Sequence, residues 1–270
     1  MDAAQTRPGR VVVMHISLNE FTIVCRRALD GIGFPPGEYE DAADMVVWLE
    51  QHGLNGARLL GEILPRLTGE EWPALIRQHD DGGCVVMRMD HGSILHGGSL
   101  AADLACTRAL ETGIGIVRLR GCRDRSFVLG YLARCARRGH HIAAFWCTGE
   151  PRRAVQNVGI ALADERLPVF RRFRADGGGE QEADTDTLTL MATRDFAMLP
   201  AAPTDHPSIE LLEMVTTEEF DARSRRAWDQ GIEVEPELWQ QLKTLAGTKL
   251  VEATDASRTR GAGEAHPNSE

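Results

Sequence analysis

Apolar residues recur at helical spacing through the first quarter of the chain. The periodicity predicts three amphipathic helices within residues 15–67, and Ser17 with Glu20 forms a capping box that starts the first of them. Gly33 predicts the end of that helix. Its predicted core-facing stripe comprises Leu18, Phe21, Val24, Cys25, Ala28 and Leu29. The N-terminal segment is therefore expected to be helical.

Residues 84–147 alternate between short apolar runs and helical patterns. The predicted strands are Cys84–Met89, Ile114–Leu119 and Ile142–Trp146. A glycine-rich loop, Asp90–Gly98, follows the first strand, and Ser99 is the predicted N-cap of the next helix. This β-α-β-α-β order predicts an α/β fold with a central, mainly parallel sheet. A ligand is then expected near the carboxyl ends of the strands.

The pattern changes again in residues 169–252. Val169–Arg174 and Thr187–Arg194 are predicted strands, joined by a polar, glycine-rich segment as a long hairpin or a flap. With the C-terminal helices they predict an irregular second sheet. Because no repeat or clean linker is visible, residues 1–252 are predicted to form one α/β domain. The composition of residues 253–270 predicts a mobile tail.

Composition narrows the classes of protein that the chain can represent. It has 270 residues, of which 43% are hydrophobic and 26% charged, and no apolar run long enough to span a bilayer. The net charge of −10 disfavours generic nucleic-acid binding. Six scattered cysteines have no metal-ligand spacing and are interpreted as reduced thiols. Without a signal-peptide pattern, the chain is expected to be cytoplasmic, with no membrane or nucleic-acid partner and no metal.

Two local patterns could bind a ligand. Gly97 and Gly98 directly precede a predicted helix, where they could admit a ligand to its N-terminus or simply form a flexible loop. Arg120, Arg123 and Arg125 follow the central strand, where guanidinium groups suit a carboxylate or phosphate. The alternative for these arginines is a solvated loop with local ion pairs.

Histidines supply the candidates for proton transfer. His91 and His96 lie in the glycine-rich loop, where a general acid would be reachable, although both could be plain loop residues. No nucleotide fingerprint, P-loop, nucleophile elbow or zinc-protease motif is present in the sequence.

Several patches resemble the non-Rossmann malate/L-lactate dehydrogenase superfamily. They are Gly33-Phe34-Pro35 leading to Gly53 and Arg58, Asp90 with Gly92 and Gly97, Gly113 to Arg118, Gly130-Tyr131, and Gly231 to Val234. The stretch Ser257-Arg258-Thr259-Arg260-Gly261-Ala262-Gly263 resembles the end of an uncharacterised bacterial family of the same size. The resemblance implies a shortened form of the dehydrogenase fold, a homodimer, and NAD(P)H as a possible cofactor.

The departures from the superfamily pattern concern its chemistry. The superfamily has a Ser-x-His-x-Gly stretch after the central strand, and alignment on Gly130-Tyr131 places Arg123, Arg125 and Phe127 at those positions. The usual catalytic histidine is thus absent, and arginine cannot release its proton near neutral pH.

The predicted function is binding of a small anion of the 2-hydroxy or 2-keto acid type. The alternative is a non-catalytic subunit that pairs with an active enzyme. Whether the chain catalyses a reaction stays open; Arg125 would clamp the carboxylate, and His91 or His96 would be the substitute acid. The predicted ligand-binding residues are Arg58, Asp90, Gly97, Gly98, Arg120, Arg123, Arg125, Ser257 and Arg258.

Overall fold

The computed structural model describes residues 13–69, 74–150, 153–175, 184–199 and 209–249. The predicted tail, with Ser257 and Arg258, lies outside the described residues. The helices are α1 (Leu18–Ile32), α2 (Glu38–Gln51), α3 (Gly56–Leu67), α4 (Gly98–Thr112), α5 (Val128–Arg137), α6 (Thr217–Gln230) and α7 (Pro236–Gly247). The strands are β1 (Met14–Ile16), β2 (Ile76–Asp80), β3 (Cys84–Arg88), β4 (Ile114–Arg120), β5 (His141–Thr148), β6 (Val155–Ala161), β7 (Val169–Ala175), β8 (Leu188–Thr193), β9 (Ile209–Val215) and β10 (Ile232–Val234).

The helical N-terminal segment is confirmed. The Ser17 hydroxyl accepts a hydrogen bond from the backbone N–H of Glu20 at 3.1 Å, which satisfies one of the free donors at the start of α1. Gly33 ends the helix with φ = 115°, a conformation that glycine adopts at little cost. The predicted stripe is buried apart from Val24, which packs against the core from a partly buried position.

The main sheet is mixed and not mainly parallel, which corrects the sequence prediction. It has eight strands in the order β2-β3-β4-β8-β5-β6-β7-β9, and β3–β4 is the one parallel pair among the described residues. The strands β4 and β5 do run in the same direction. However, β8 lies between them and pairs antiparallel with both. A local β-α-β pattern cannot reveal a strand inserted from a distant part of the chain.

The predicted hairpin and second sheet are also corrected. The strands β7 and β8 are not neighbours, because β7 pairs with β6 and β9. Three of the four strands in residues 169–252, namely β7, β8 and β9, join the main sheet. A small additional sheet consists of β1 and β10, which pair antiparallel from Met14–Val234 to Ile16–Ile232.

Helices α4 and α5 pack directly on one face of this sheet. A Cβ atom at Gly115 of β4 would overlap the backbone oxygen of Ala105, so the absence of a side chain lets α4 lie against the strand. Gly159 of β6 similarly leaves room for Leu129 of α5. These close contacts fix the loops at the carboxyl ends of β3 and β4.

Candidate functional site

Two loops meet at the carboxyl ends of the parallel pair β3–β4. We call residues 89–97 the β3 loop and residues 121–127 the β4 loop. The backbone N–H of Met89 donates to the Arg120 carbonyl at 2.9 Å, and the N–H of Arg123 donates to Gly92 at 2.9 Å. The N–H of Ile94 donates to the Arg123 carbonyl at 3.0 Å. The two loops therefore form one continuous hydrogen-bonded unit.

Left-handed backbone conformations concentrate in this unit. Five non-glycine residues in the described ranges have positive φ, and three of them are Asp90 (47°), His91 (65°) and Asp124 (59°). Gly121 has φ = 64°, and a Cβ atom there would lie 3.2 Å from the backbone nitrogen of His91. Non-glycine residues adopt this conformation at a cost that functional sites commonly retain. The cluster marks the two loops as the place where chemistry is most expected.

Arg120 and Arg123 present their side chains at the surface of this unit. Both residues are exposed, Arg120 at the last position of β4 and Arg123 within the β4 loop. Arg120 is the cross-strand partner of Arg88, whose guanidinium contacts the Asp90 carboxylate at 3.0 Å. In the described part of the chain Arg120 itself forms no ion pair. The residue is exposed at the carboxyl end of β4.

The Arg125 side chain, unlike those of Arg120 and Arg123, is directed toward the main chain of the protein. Two of its nitrogens donate to main-chain carbonyl oxygens, one to Cys122 and one to Cys147 at 3.1 Å. Its Nε is buried, with no hydrogen-bond acceptor among the described residues. The side chain therefore ties the β4 loop to the end of β5. The structure does not bring all three predicted arginines to one surface.

Asp124 connects the β4 loop to the helical segment. Its carboxylate accepts a hydrogen bond at 2.6 Å from Arg66 in the last turn of α3, and only 13% of its side chain is exposed. Arg66 was missed by sequence reasoning. No signal separates it from other helix arginines, because its partner lies 58 positions away along the chain.

The two candidate histidines differ in environment. His96 stacks on Phe34 with ring centroids 4.4 Å apart, and burial lowers its pKa to about 4. Its imidazole is therefore neutral at pH 7, which makes it a poor general acid there. His91 is exposed, next to Asp90. Of the two, His96 can supply a fixed neutral imidazole.

The Gly97–Gly98 pair serves internal packing. A Cβ atom at Gly97 would lie 2.6 Å from Leu75 Cδ1, and one at Gly98 would lie 2.8 Å from Ile94 Cγ1. Helix α4 begins at Gly98 with Gly97 as its N-cap, so the prediction of Ser99 as the cap is wrong. The space that the two glycines leave is already occupied by the protein's own side chains. These residues do not fit a nucleotide phosphate.

The other predicted ligand residues lie apart or outside the described ranges. Arg58, in the first turn of α3, is exposed and pairs with Glu62 one turn later on the same helix. Ser257 and Arg258 are not among the described residues. In the ranges that the structure covers, no three histidine, cysteine, aspartate or glutamate residues are grouped to hold a metal ion. No helix there is both long and apolar enough to cross a membrane.

Residues 16–83 match the model of a family described as "Protein of unknown function (DUF3726)". This segment contains α1, α2 and α3. No curated protein matches the chain.

Solved structures match over most of the chain. A dehydrogenase from Sinorhizobium meliloti is 13% identical, with a TM-score of 0.65 over 87% of this chain and 99% of that chain. A malate dehydrogenase from Pyrococcus horikoshii is 13% identical, with a TM-score of 0.62 over 90% and 98%. The sulfolactate dehydrogenase from Methanocaldococcus jannaschii is also 13% identical, with a TM-score of 0.61 over 87% and 97%.

The chain has the fold of these dehydrogenases. At such low identity the likeness concerns the fold alone. The family match over residues 16–83 and these structures confirm the predicted resemblance to an uncharacterised family and to the malate/lactate dehydrogenase fold. That the fold is a shortened form stays a prediction.

Proposed function

We propose that the protein binds a small carboxylate of the 2-hydroxy or 2-keto acid type at the joined β3 and β4 loops. Arg120 and Arg123 are the proposed anion-binding residues, because both are exposed at this surface. Guanidinium groups bind carboxylates through two parallel charge-assisted hydrogen bonds. Arg58 and Arg125 are left out of this site, since their guanidiniums already bind Glu62 and main-chain carbonyls respectively.

The observation that carries the proposal is the left-handed cluster of Asp90, His91 and Asp124. A left-handed conformation costs most residues about 1–2 kcal/mol, and aspartate and histidine tolerate it better than most. The cluster lies at the carboxyl end of β3–β4, the edge at which open α/β sheets bind ligands. Strained backbone at that edge favours a ligand-binding role for the two loops over a purely connecting one.

The solved relatives support the ligand class. Two of them are named for malate and sulfolactate, which are both 2-hydroxy carboxylates. These names concern those proteins, and they enter here only as the reason for choosing this class of acid as the first probe.

NAD(P)H is the cofactor that the dehydrogenase fold implies. The residues at the start of α4 do not fit its phosphates, because Leu75 and Ile94 fill the space beside Gly97 and Gly98. We therefore assign no hydride transfer to the site. We assign no proton transfer to His96 either, because a pKa of about 4 makes its imidazole a weak base as well as a poor acid at pH 7.

Calorimetric titration with malate, sulfolactate, pyruvate and oxaloacetate, each with and without NAD(P)H, tests the proposal. We expect wild-type protein to bind at least one acid. Arg120→Ala should weaken that binding about tenfold or more, because a hydrogen bond to a charged group contributes roughly 1.5–3 kcal/mol. Arg225→Ala is the matched control, since Arg225 is an exposed arginine on α6.

The alternative proposal is a non-catalytic subunit. The observation that favours it is the role of Arg125. This residue aligns with the histidine of the superfamily pattern, but its guanidinium here donates to main-chain carbonyl oxygens. If none of the acids binds with or without NAD(P)H, the ligand proposal is overturned. Equal affinity of the wild type and Arg120→Ala would remove Arg120 from it.

A further inference from the structure

Three arginines share one face of the parallel pair β3–β4. Gly115 of β4 faces α4, so the alternation of side chains along a strand directs Arg118 and Arg120 to the opposite face. Arg88 of β3 is the cross-strand partner of Arg120 and lies on the same face. All three residues are exposed. We call Arg88, Arg118 and Arg120 the arginine cluster.

The spacing of the arginine cluster allows its members to bind one ligand. Neighbouring strands lie about 4.8 Å apart, and alternate residues within a strand lie about 6.6 Å apart. Arg88 and Arg118 therefore flank Arg120, the first across the sheet and the second along β4. Because arginine side chains are long and flexible, the three guanidinium groups can converge on a small molecule beside Arg120.

Two carboxylates neutralise part of the charge of the cluster. Asp90 contacts Arg88 at 3.0 Å, and Asp184 contacts Arg118 at 3.2 Å. All four side chains are about half exposed, so solvent weakens both ion pairs. Arg120, between the two pairs, forms no ion pair with the other described residues. The described groups of the cluster thus retain a net positive charge.

The position of Arg88 opposite Arg120 has an energetic cost. Like charges that face each other directly destabilise a sheet. Asp90 offsets part of this repulsion, and it does so from a left-handed backbone conformation with φ = 47°. A bound anion would offset the remainder, so the cluster favours ligands with more than one negative charge.

We propose that Arg88 and Arg118 bind a second anionic group, so that the site selects 2-hydroxy or 2-keto acids that carry two anionic groups. Arg120 and Arg123 bind the carboxylate of the acid, as proposed above. The second group is a carboxylate, a sulfonate or a phosphoryl group, since each offers several oxygens to a guanidinium fork. The inference rests on the proposed function, because it specifies the acid bound at that site.

Asp90 competes with the second anionic group for Arg88. Its carboxylate occupies the guanidinium in the structure, and a ligand must displace or share it. Asp90→Asn removes the competing charge, and asparagine also tolerates the left-handed conformation. This variant should therefore bind a dianionic acid more tightly than the wild type does.

Calorimetric titration with matched acids tests the inference. Malate differs from lactate by a second carboxylate, and 3-phosphoglycerate differs from glycerate by a phosphoryl group. We expect at least one dianionic acid to bind about tenfold or more tightly than its monoanionic counterpart, because hydrogen bonds to charged groups are the strong ones. The pair that shows the larger preference identifies the second group.

Substitution of the two flanking arginines tests their role. Arg88→Ala and Arg118→Ala should each reduce the preference for the dianionic acid about tenfold and leave the affinity for its monoanionic counterpart largely unchanged. Arg77→Ala is the matched control. Arg77 is an exposed arginine of β2 that also pairs with an aspartate, Asp80, but its cross-strand partner Met87 lies on the other face. Circular dichroism verifies that each variant is folded.

The outcomes separate this inference from the proposed function. Equal affinity for both members of each pair of acids overturns the inference and leaves the proposed function standing. A preference that folded Arg88→Ala and Arg118→Ala proteins retain also overturns it, as does weaker binding of the dianionic acid by Asp90→Asn. If no acid binds at all, the proposed function fails first, and the inference fails with it.

Discussion

Exposed arginines on the two sides of the eight-stranded sheet differ in their partners. In β4, Arg120 is exposed and forms no ion pair with the other described residues, whereas Arg88 of the neighbouring strand pairs with Asp90. In β7, Arg172 and Arg174 form ion pairs with Glu213 and Glu210 of β9. Arg120, which we propose as an anion ligand, thus differs from Arg172 and Arg174, whose charges are neutralised by glutamates of the neighbouring strand. Whether an exposed arginine forms an ion pair is therefore set by the neighbouring residues that the fold provides.

The largest expected loss of stability comes from disturbing the packing of α4 against β4 at Gly115. Gly115→Ala places a Cβ atom on the Ala105 backbone oxygen of α4, where neither partner is a flexible side chain. We expect a loss of about 3 kcal/mol or more in the free energy of unfolding, measured by urea denaturation. Gly83→Ala is the control, because a Cβ atom there meets nothing nearer than 3.9 Å. Equal stability of the two variants would contradict the close approach of α4.

A smaller effect separates the arginines at the two ends. Arg125→Ala leaves the part-buried carbonyls of Cys122 and Cys147 without the hydrogen bonds that Arg125 donates, which should cost roughly 1–3 kcal/mol of unfolding free energy. Arg174→Ala removes an ion pair that is about half exposed and should cost at most about 1 kcal/mol. Thermal denaturation of both variants measures the difference. A larger loss for Arg174→Ala would reverse the proposed roles.

Acid should lower the free energy of unfolding, because two buried histidines in the helical segment and the β3 loop must become protonated. Burial lowers the pKa of both His52 and His96 to about 4, below the value of about 6.5 in an unfolded chain. The unfolded chain then binds more protons between these values, so stability is complete above about pH 6.5 and falls toward pH 4. The strands β6, β7 and β9 contain no histidine.

Urea denaturation at several pH values checks this dependence. The double variant His52→Gln/His96→Gln should lose stability less steeply than the wild type between pH 6.5 and 4. His79→Gln is the control, because the His79 side chain is 58% exposed. An unchanged slope in the double variant would show that other groups govern the acid sensitivity.

Local patterns in the sequence predicted local structure well. The helix from Leu18, its cap at Ser17 and its end at Gly33 depend on contacts between residues that are close along the chain. The strands β2 and β6 were missed for different reasons. All five side chains of β2 are exposed and mostly polar, whereas β6 carries Gln156, Asn157 and Gly159 among its apolar residues. Neither strand shows the alternation that identifies a half-buried strand.

The loops that we propose as the site were chosen from the sequence, but their contacts were not predicted. The loops after β3 and β4 were selected because strand ends bind ligands, and the left-handed cluster lies in them. The inward turn of Arg125 depends on the Cys147 carbonyl, and the role of Arg66 depends on Asp124. Both are contacts between distant parts of the chain, which residue spacing does not encode.

The position of β8 between β4 and β5 constrains the order of folding. During synthesis, β4 and β5 emerge long before the strand that joins them, so their facing edges must wait for residues 188–193. Helices α4 and α5 can form early, because their contacts are local. We therefore expect the sheet to close late, when β8 inserts between β4 and β5 and joins them.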